Sequence, residues 1–160
     1  MDYEKLFELA KPYLKQNEFG LPHTRRVFTI AQKNFEIPKN LEDLVFCSII
    51  LHDIGGSTIE KQYKDGPKIA ELLLRKLGYA ENFVQTVCEI VRTHHDHPEQ
   101  PSEAFRILYD SDKLVMFSPE EFAHYNVKQN FDWNQIIDLI YSEHIRGLAK
   151  KLLKQRRTEE

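Results

Sequence analysis

In the stretch CSIILHDIGG, residues 47–56, an apolar run delivers His52 and Asp53 side by side in front of two glycines. Burying a carboxylate is expensive unless it is paired or bound to a metal. Three further places put such groups on the apolar faces of other segments: His23 in LPHTRRV, His94 with His95 in RTHHDHP, and Asp112 in LYDSDKL. Several polar groups on adjoining inward faces point to one shared centre, and a divalent cation is the simplest. Imidazoles and carboxylates together make a mixed nitrogen and oxygen donor set suited to Mn, Fe, Co, Ni or Zn, with positions left for water and a substrate oxygen. An ion held this way lowers the pKa of a bound water and polarises a phosphoryl oxygen, so hydrolysis of a phosphate ester or anhydride follows naturally. No serine in a Gly-x-Ser-x-Gly setting competes for the role, and DIGGS lacks the Gly-Lys-Ser/Thr of a phosphate loop.

The elements that position these residues read as helices throughout. Apolar residues recur at three- and four-residue intervals, and no alternation is long enough to build a sheet, so the fold class is all-α. The first helix covers 3–17. The second, LPHTRRVFTIAQKNF, has Pro22 in its first turn, where a missing N–H costs nothing. A third begins near Asn40 as N-cap and runs, buried nearly all round, to Gly55 and Gly56. Adjacent helical residues point about 100° apart, so His52 and Asp53 reach one ion only where the backbone turns, and the glycines supply that turn. A loop over 55–65 leads to a helix from Pro67 to Gly78, and the next, ENFVQTVCEIVRTHH, ends by Pro98. Ser102 caps the helix that carries Asp112, a new turn begins at SPEEF, and one long helix spans 132–157.

Composition narrows the field. The chain has 160 residues, 41% hydrophobic and 29% charged, which fits one folded domain rather than a disordered chain. Its two cysteines, Cys47 and Cys88, lie in apolar helical patterns and read as reduced core residues. No apolar run approaches the roughly 20 residues of a membrane span. The start MDYEKLFELA is acidic where a secretion signal is basic, which places the chain in the cytoplasm. A formal charge of −3 gives no general attraction for nucleic acid, and the basic tail KKLLKQRR reads as a solvated helix end.

The order of a His, then a His-Asp doublet, then a distant Asp, on a bundle of helices, resembles the HD-domain metal-dependent phosphohydrolases. LPHTRRV supplies the first His, LHDIGG the doublet and LYDSDKL the last Asp, where the family's Asp-Lys-Leu or Asp-Arg-Leu ending picks Asp112 over Asp110. The resemblance implies a single HD-type domain over 1–160, with a motif-bearing core at 20–117. It implies one divalent ion held by His23, His52, Asp53 and Asp112. Asp53 then orients the attacking water or accepts its proton, and His94 or His95 steadies the phosphoryl charge or binds a weak second ion. The additional His that some family members use after the doublet to hold two metals has no counterpart in 54–66, IGGSTIEKQYKDG.

The substrate implied is a small phosphorylated metabolite, a nucleotide foremost. The loop 54–66 and segment 117–132 are candidate pocket walls, with Tyr63, Tyr125, Phe131 and Trp133 as candidate base-stacking residues. Arg26, on the face of His23, serves either a phosphate or a salt bridge, and Lys113 reads as solvated. His97, His124 and His144 read as surface or packing residues. Two rival functions stand beside the hydrolase: a non-catalytic module that binds a metal or nucleotide, and a di-iron oxygenase, which a visible absorption band of the iron form reveals. The last helix serves equally to close its own bundle or to pack on a partner.

Overall fold

The computed structural model describes residues 2–14, 19–56 and 58–159. Among these residues the chain forms nine α-helices, two 3-10 turns and no strand. In order they are α1 (Tyr3–Leu14), α2 (Gly20–Asn34), α3 (Glu42–Leu51), α4 (Ile59–Lys76), α5 (Glu81–Thr93), α6 (Glu103–Leu114), α7 (Phe122–Asn126), α8 (Trp133–Leu139) and α9 (Glu143–Thr158). Residues 15–17, the end of the expected first helix, lie outside the described residues. No helix among those described is long and apolar enough to cross a membrane.

The helix before the doublet, α3, is the axis of the bundle. Its residues Val45 to Leu51 are all buried, which explains a run with no polar face, and it packs against α1, α2, α5 and α6. One apolar cluster joins α3 to α1, α4 and α5, and a second joins it to α2, α5 and α6. A third, built on Phe117, Trp133, Ile145 and Leu153, holds the C-terminal helices against the end of α6. Cys47 and Cys88 are free thiols in the first cluster.

Three boundaries differ from the sequence reading. A 3-10 turn, Lys39–Leu41, precedes α3, so Asn40 sits inside that turn and does not cap the helix. The expected loop 55–65 is largely helical, because α4 starts at Ile59, where the Thr58 hydroxyl accepts from the Lys61 N–H. Such a cap contributes about 1 kcal/mol. Pro67 therefore lies inside α4 and forgoes one helical hydrogen bond. The long segment 132–157 is two helices, broken where the buried Asp110 carboxylate accepts from the backbone N–H groups of Tyr141 (2.8 Å) and Ser142 (2.9 Å).

Gly55 and Gly66 explain how α4 reaches the doublet. Gly55 has φ +113°, and a Cβ there would meet Gly66 N at 2.6 Å, while a Cβ on Gly66 would meet the Ile54 carbonyl oxygen at 2.7 Å. Only backbone fits on either side of this contact. Gly55→Ala is expected to destabilise the chain by about 2 kcal/mol, lowering the thermal midpoint by roughly 4–8 °C in a helical circular dichroism melt.

Candidate metal centre

Helix ends bring the polar residues together. His23 projects from the first turns of α2; His52 and Asp53 occupy the turn that ends α3; His94 and His95 occupy the turn that ends α5; Asp112 comes from α6. The backbone at His52 (φ −62°, ψ −36°) and at His94 (φ −65°, ψ −17°) stays helical, so the turn expected from Gly55 and Gly56 lies beyond the doublet and does not separate His52 from Asp53. His23, His52 and His94 are buried, Asp53 and Asp112 are half-buried, and His95 stands at the exposed rim.

Four donor atoms converge. His23 Nε2 lies 3.1 Å from Asp112 Oδ1 and 3.2 Å from Asp53 Oδ2, and His52 Nε2 lies 3.4 Å and 3.3 Å from the same two oxygens. Ligand atoms each about 2.1 Å from one ion and at right angles to each other stand about 3.0 Å apart, so this spacing suits a shared cation. The other oxygen of Asp53, Oδ1, is 3.6 Å from His94 Nε2. Asp53, His94 and His95 make a second group able to hold an ion, beside the first group of His23, His52 and Asp112.

The far side of each ring is held by a hydrogen bond. His52 Nδ1 donates to the Ile49 carbonyl at 2.6 Å and His94 Nδ1 to the Val91 carbonyl at 2.7 Å. His23 Nδ1 faces both carboxylate oxygens of Glu121 at 3.0 and 3.1 Å. Each contact keeps the Nδ1 proton and turns Nε2 into the centre, as metal-ligating histidines require. The Nε2 atoms of His52 and His94 are buried and make no hydrogen bond. Buried ring nitrogens aimed at carboxylates without a hydrogen bond are what a cation satisfies, so these residues fit the implied metal.

Without a cation, protons balance the charge. Burial opposes protonation of His23, but the carboxylates of Asp112, Asp53 and Glu121 outweigh it and lift its pKa to about 12. His52 rises to about 10 against burial, driven by the charges of Asp53 and Asp112. Burial likewise opposes the charge on Asp53 and Asp112, yet His52 and then His23 hold both well below the ordinary carboxylate range. His95 is pushed down to about 4 by desolvation of its ring and by the neighbouring His94.

A raised histidine pKa stabilises the folded chain fully below the unfolded value near 6.5, and that contribution is lost as pH rises through the folded value. The window for His52 runs from about 6.5 to about 10, and for His23 to about 12. The contribution of the depressed carboxylates is present above about 3.8 and is lost only as pH falls toward their folded values. A metal needs the rings deprotonated, so its affinity moves the opposite way. The thermal midpoint of the metal-free chain should fall between about pH 6.5 and about pH 9.5, while the increase given by saturating Mn²⁺ grows. Melts with and without Mn²⁺ across that range check both trends, and a metal-free midpoint that climbs with pH contradicts the first.

The donors open onto a cavity of about 290 Å³, whose walls include Phe19, Gln62, His95, Lys113 and Tyr125. A larger open groove of about 600 Å³, lined by Thr86, His97 and Phe105, contains no member of either donor group. Other residues stand apart from the expected roles. Arg26 takes the salt-bridge alternative: its Nε and Nη2 lie 3.0 and 2.9 Å from Glu121 Oε2. Trp133 is core, stacked on Phe122 and packed with Phe131, so neither is a pocket wall. Tyr63 donates to Asp96 and accepts from the His95 N–H, bracing that turn. His97 stacks on Tyr141 and bonds to the Leu139 carbonyl, His124 packs edge-on to Phe19, and His144 is exposed.

Three residues escaped the sequence reading. Glu121 and Phe19 both adjoin His23, Phe19 as a ring 6.1 Å away and nearly parallel. Gln62 donates to the Gly56 carbonyl and accepts from His95 Nε2, so it fixes the His95 ring and leaves its Nδ1 as the donor. Its position within IEKQY, on a helix that begins eight residues before Pro67, is the only signal the sequence carried for it.

The helical bundle and the His, His-Asp, Asp cluster define a class, and the family comparison agrees. The family model described as HD domain matches residues 20–117, and the chain belongs to the HD-domain family. Comparisons with curated proteins and with solved structures found no match.

Proposed function

We propose that this protein is a metal-dependent phosphohydrolase acting on a small phosphorylated metabolite, foremost a nucleotide. The observation that carries the reading is the convergence of His23, His52, Asp53 and Asp112 within 3.1–3.4 Å beside an open cavity, in a chain of the HD-domain family. These four residues hold one divalent cation, of the Mn, Fe, Co, Ni or Zn kind. When bound, such an ion supplies Lewis acidity toward a phosphoryl oxygen and lowers the pKa of a water. Asp53 would orient the attacking water and accept its proton at a carboxylate oxygen. Lys113, on the cavity wall, meets the negative charge of the phosphoryl group. Phe19 and Tyr125 line the same cavity and would supply aromatic contact to a base. The chain acts in the cytoplasm as a single domain over 1–160.

A second reading, with two cations, draws support from the separate donor group of Asp53, His94 and His95. Asp53 then serves both ions through different oxygens. Elemental analysis of protein purified without chelators or a metal-affinity tag tests both readings, beside a His52→Ala, Asp53→Ala double variant. About one transition metal per chain, lost in the double variant, is expected for the first reading, and about two for the second. No metal after incubation with Mn²⁺, Co²⁺ or Ni²⁺ overturns the hydrolase in favour of a non-catalytic module.

A further inference from the structure

The most unusual charge outside the four proposed ligands is Glu121. Its side chain has no exposed surface, and it lies beyond the segment that matches the family, in the turn that leads from α6 to α7. A carboxylate this deep is costly unless every oxygen is occupied. Here both oxygens face His23 Nδ1, and Oε2 also receives two nitrogens of Arg26. Arg26 lies three residues after His23, so one turn of α2 presents the ring and the guanidinium to the same acid. The acid is itself held from both ends of its turn. The Ser118 carbonyl accepts from the N–H groups of Glu121 and Phe122, and the Phe117 carbonyl accepts from Arg156 Nε on α9.

We propose that Glu121 is a positioning residue for the metal, fixing His23 as the Nδ1–H tautomer with Nε2 turned into the donor cluster, and that Arg26 clamps Glu121 for this purpose. The inference rests on the metal-dependent reading above and extends it, since residues 118–159 then complete a centre whose proposed ligands all lie within 20–117. Two alternatives explain less. Arg26 as a phosphate anchor is inconsistent with its two contacts to Glu121, and a purely structural Glu121–Arg26 pair does not require both oxygens to face an imidazole.

The test compares wild type with Glu121→Ala, and with a Glu121→Ala, Arg26→Ala double variant that leaves no buried charge unpaired. The first readout is Mn²⁺ affinity by titration calorimetry on chelator-stripped protein, with circular dichroism as the check on folding. Loss of an outer hydrogen-bond partner weakens metal binding by about 10- to 100-fold, and that loss is expected in the double variant with helical content retained. The second readout needs no variant. Long-range ¹H–¹⁵N spectra of the Zn²⁺-loaded wild type should show a protonated Nδ1 on His23. Unchanged Mn²⁺ affinity in variants that only melt earlier, or a His23 ring with Nδ1 unprotonated, overturns the proposal. A wild type that takes up no metal sinks the metal-dependent reading instead, so the two failures are distinct.

Discussion

Asp53→Ala is expected to release phosphate at least about 10³-fold more slowly than wild type from any substrate the protein hydrolyses, about 4 kcal/mol in the barrier. The size follows from what one side chain does. Asp53 Oδ2 faces both His23 and His52, and Oδ1 faces His94, so Asp53 belongs to both donor neighbourhoods. On the proposed mechanism, removing it takes a donor from the metal and the acceptor for a proton from the attacking water. The fold should survive, because Asp112 still faces His23 and His52, and Glu121 still faces His23. A phosphate-release assay over a nucleotide panel with Mn²⁺ checks the effect. Equal release by the two proteins would remove the hydrolase reading.

Asp110→Ala should have the opposite signature, a damaged fold around an intact centre. Asp110 sits two residues before Asp112, yet its carboxylate is fully buried and holds the chain between α8 and α9 through the N–H groups of Tyr141 and Ser142. Charged acceptors of this kind contribute roughly 1.5–3 kcal/mol each, and deleting both bonds leaves two donors without their acceptor. A loss of about 3 kcal/mol is expected, or roughly 6–12 °C in thermal midpoint for a chain of this size. Mn²⁺ should still bind the folded fraction. Asp112→Ala should reverse the pattern, losing metal affinity with a smaller change in midpoint. Melts and Mn²⁺ titrations of both variants decide between them, and loss of metal in Asp110→Ala alone would exchange the two roles.

Much of the bundle was legible because its signals are local. The run from Val45 to Leu51 has no polar face, which fits a helix enclosed on all sides, and Ser102 caps α6 by accepting from the Phe105 N–H. The polar residues singled out on inward faces do gather, since their types are too costly to bury separately. What stayed hidden depends on distant partners. Glu121 within SPEEF looks like an ordinary acidic residue at a helix start, and its partner His23 is 98 residues away. The apolar spacing of 132–157 continues across the break, because the carboxylate that interrupts it belongs to α6. Pro67 is a stronger local start signal than Thr58, so the sequence places the start of α4 too late, although the threonine does the capping.

The enclosure of α3 has a consequence for how the molecule breathes. Its amides are shielded by α1, α2, α5 and α6 together, so they should exchange with solvent deuterium only through global opening. The donors His52 and Asp53 hang from the end of that slowest-exchanging unit. The cavity wall at Tyr125 belongs instead to the five-residue helix α7, which an exposed stretch follows. Local opening there requires no movement of α3. A ligand is therefore expected to enter and leave on the timescale of the wall while His52 and Asp53 keep the much longer lifetime of the bundle's axis.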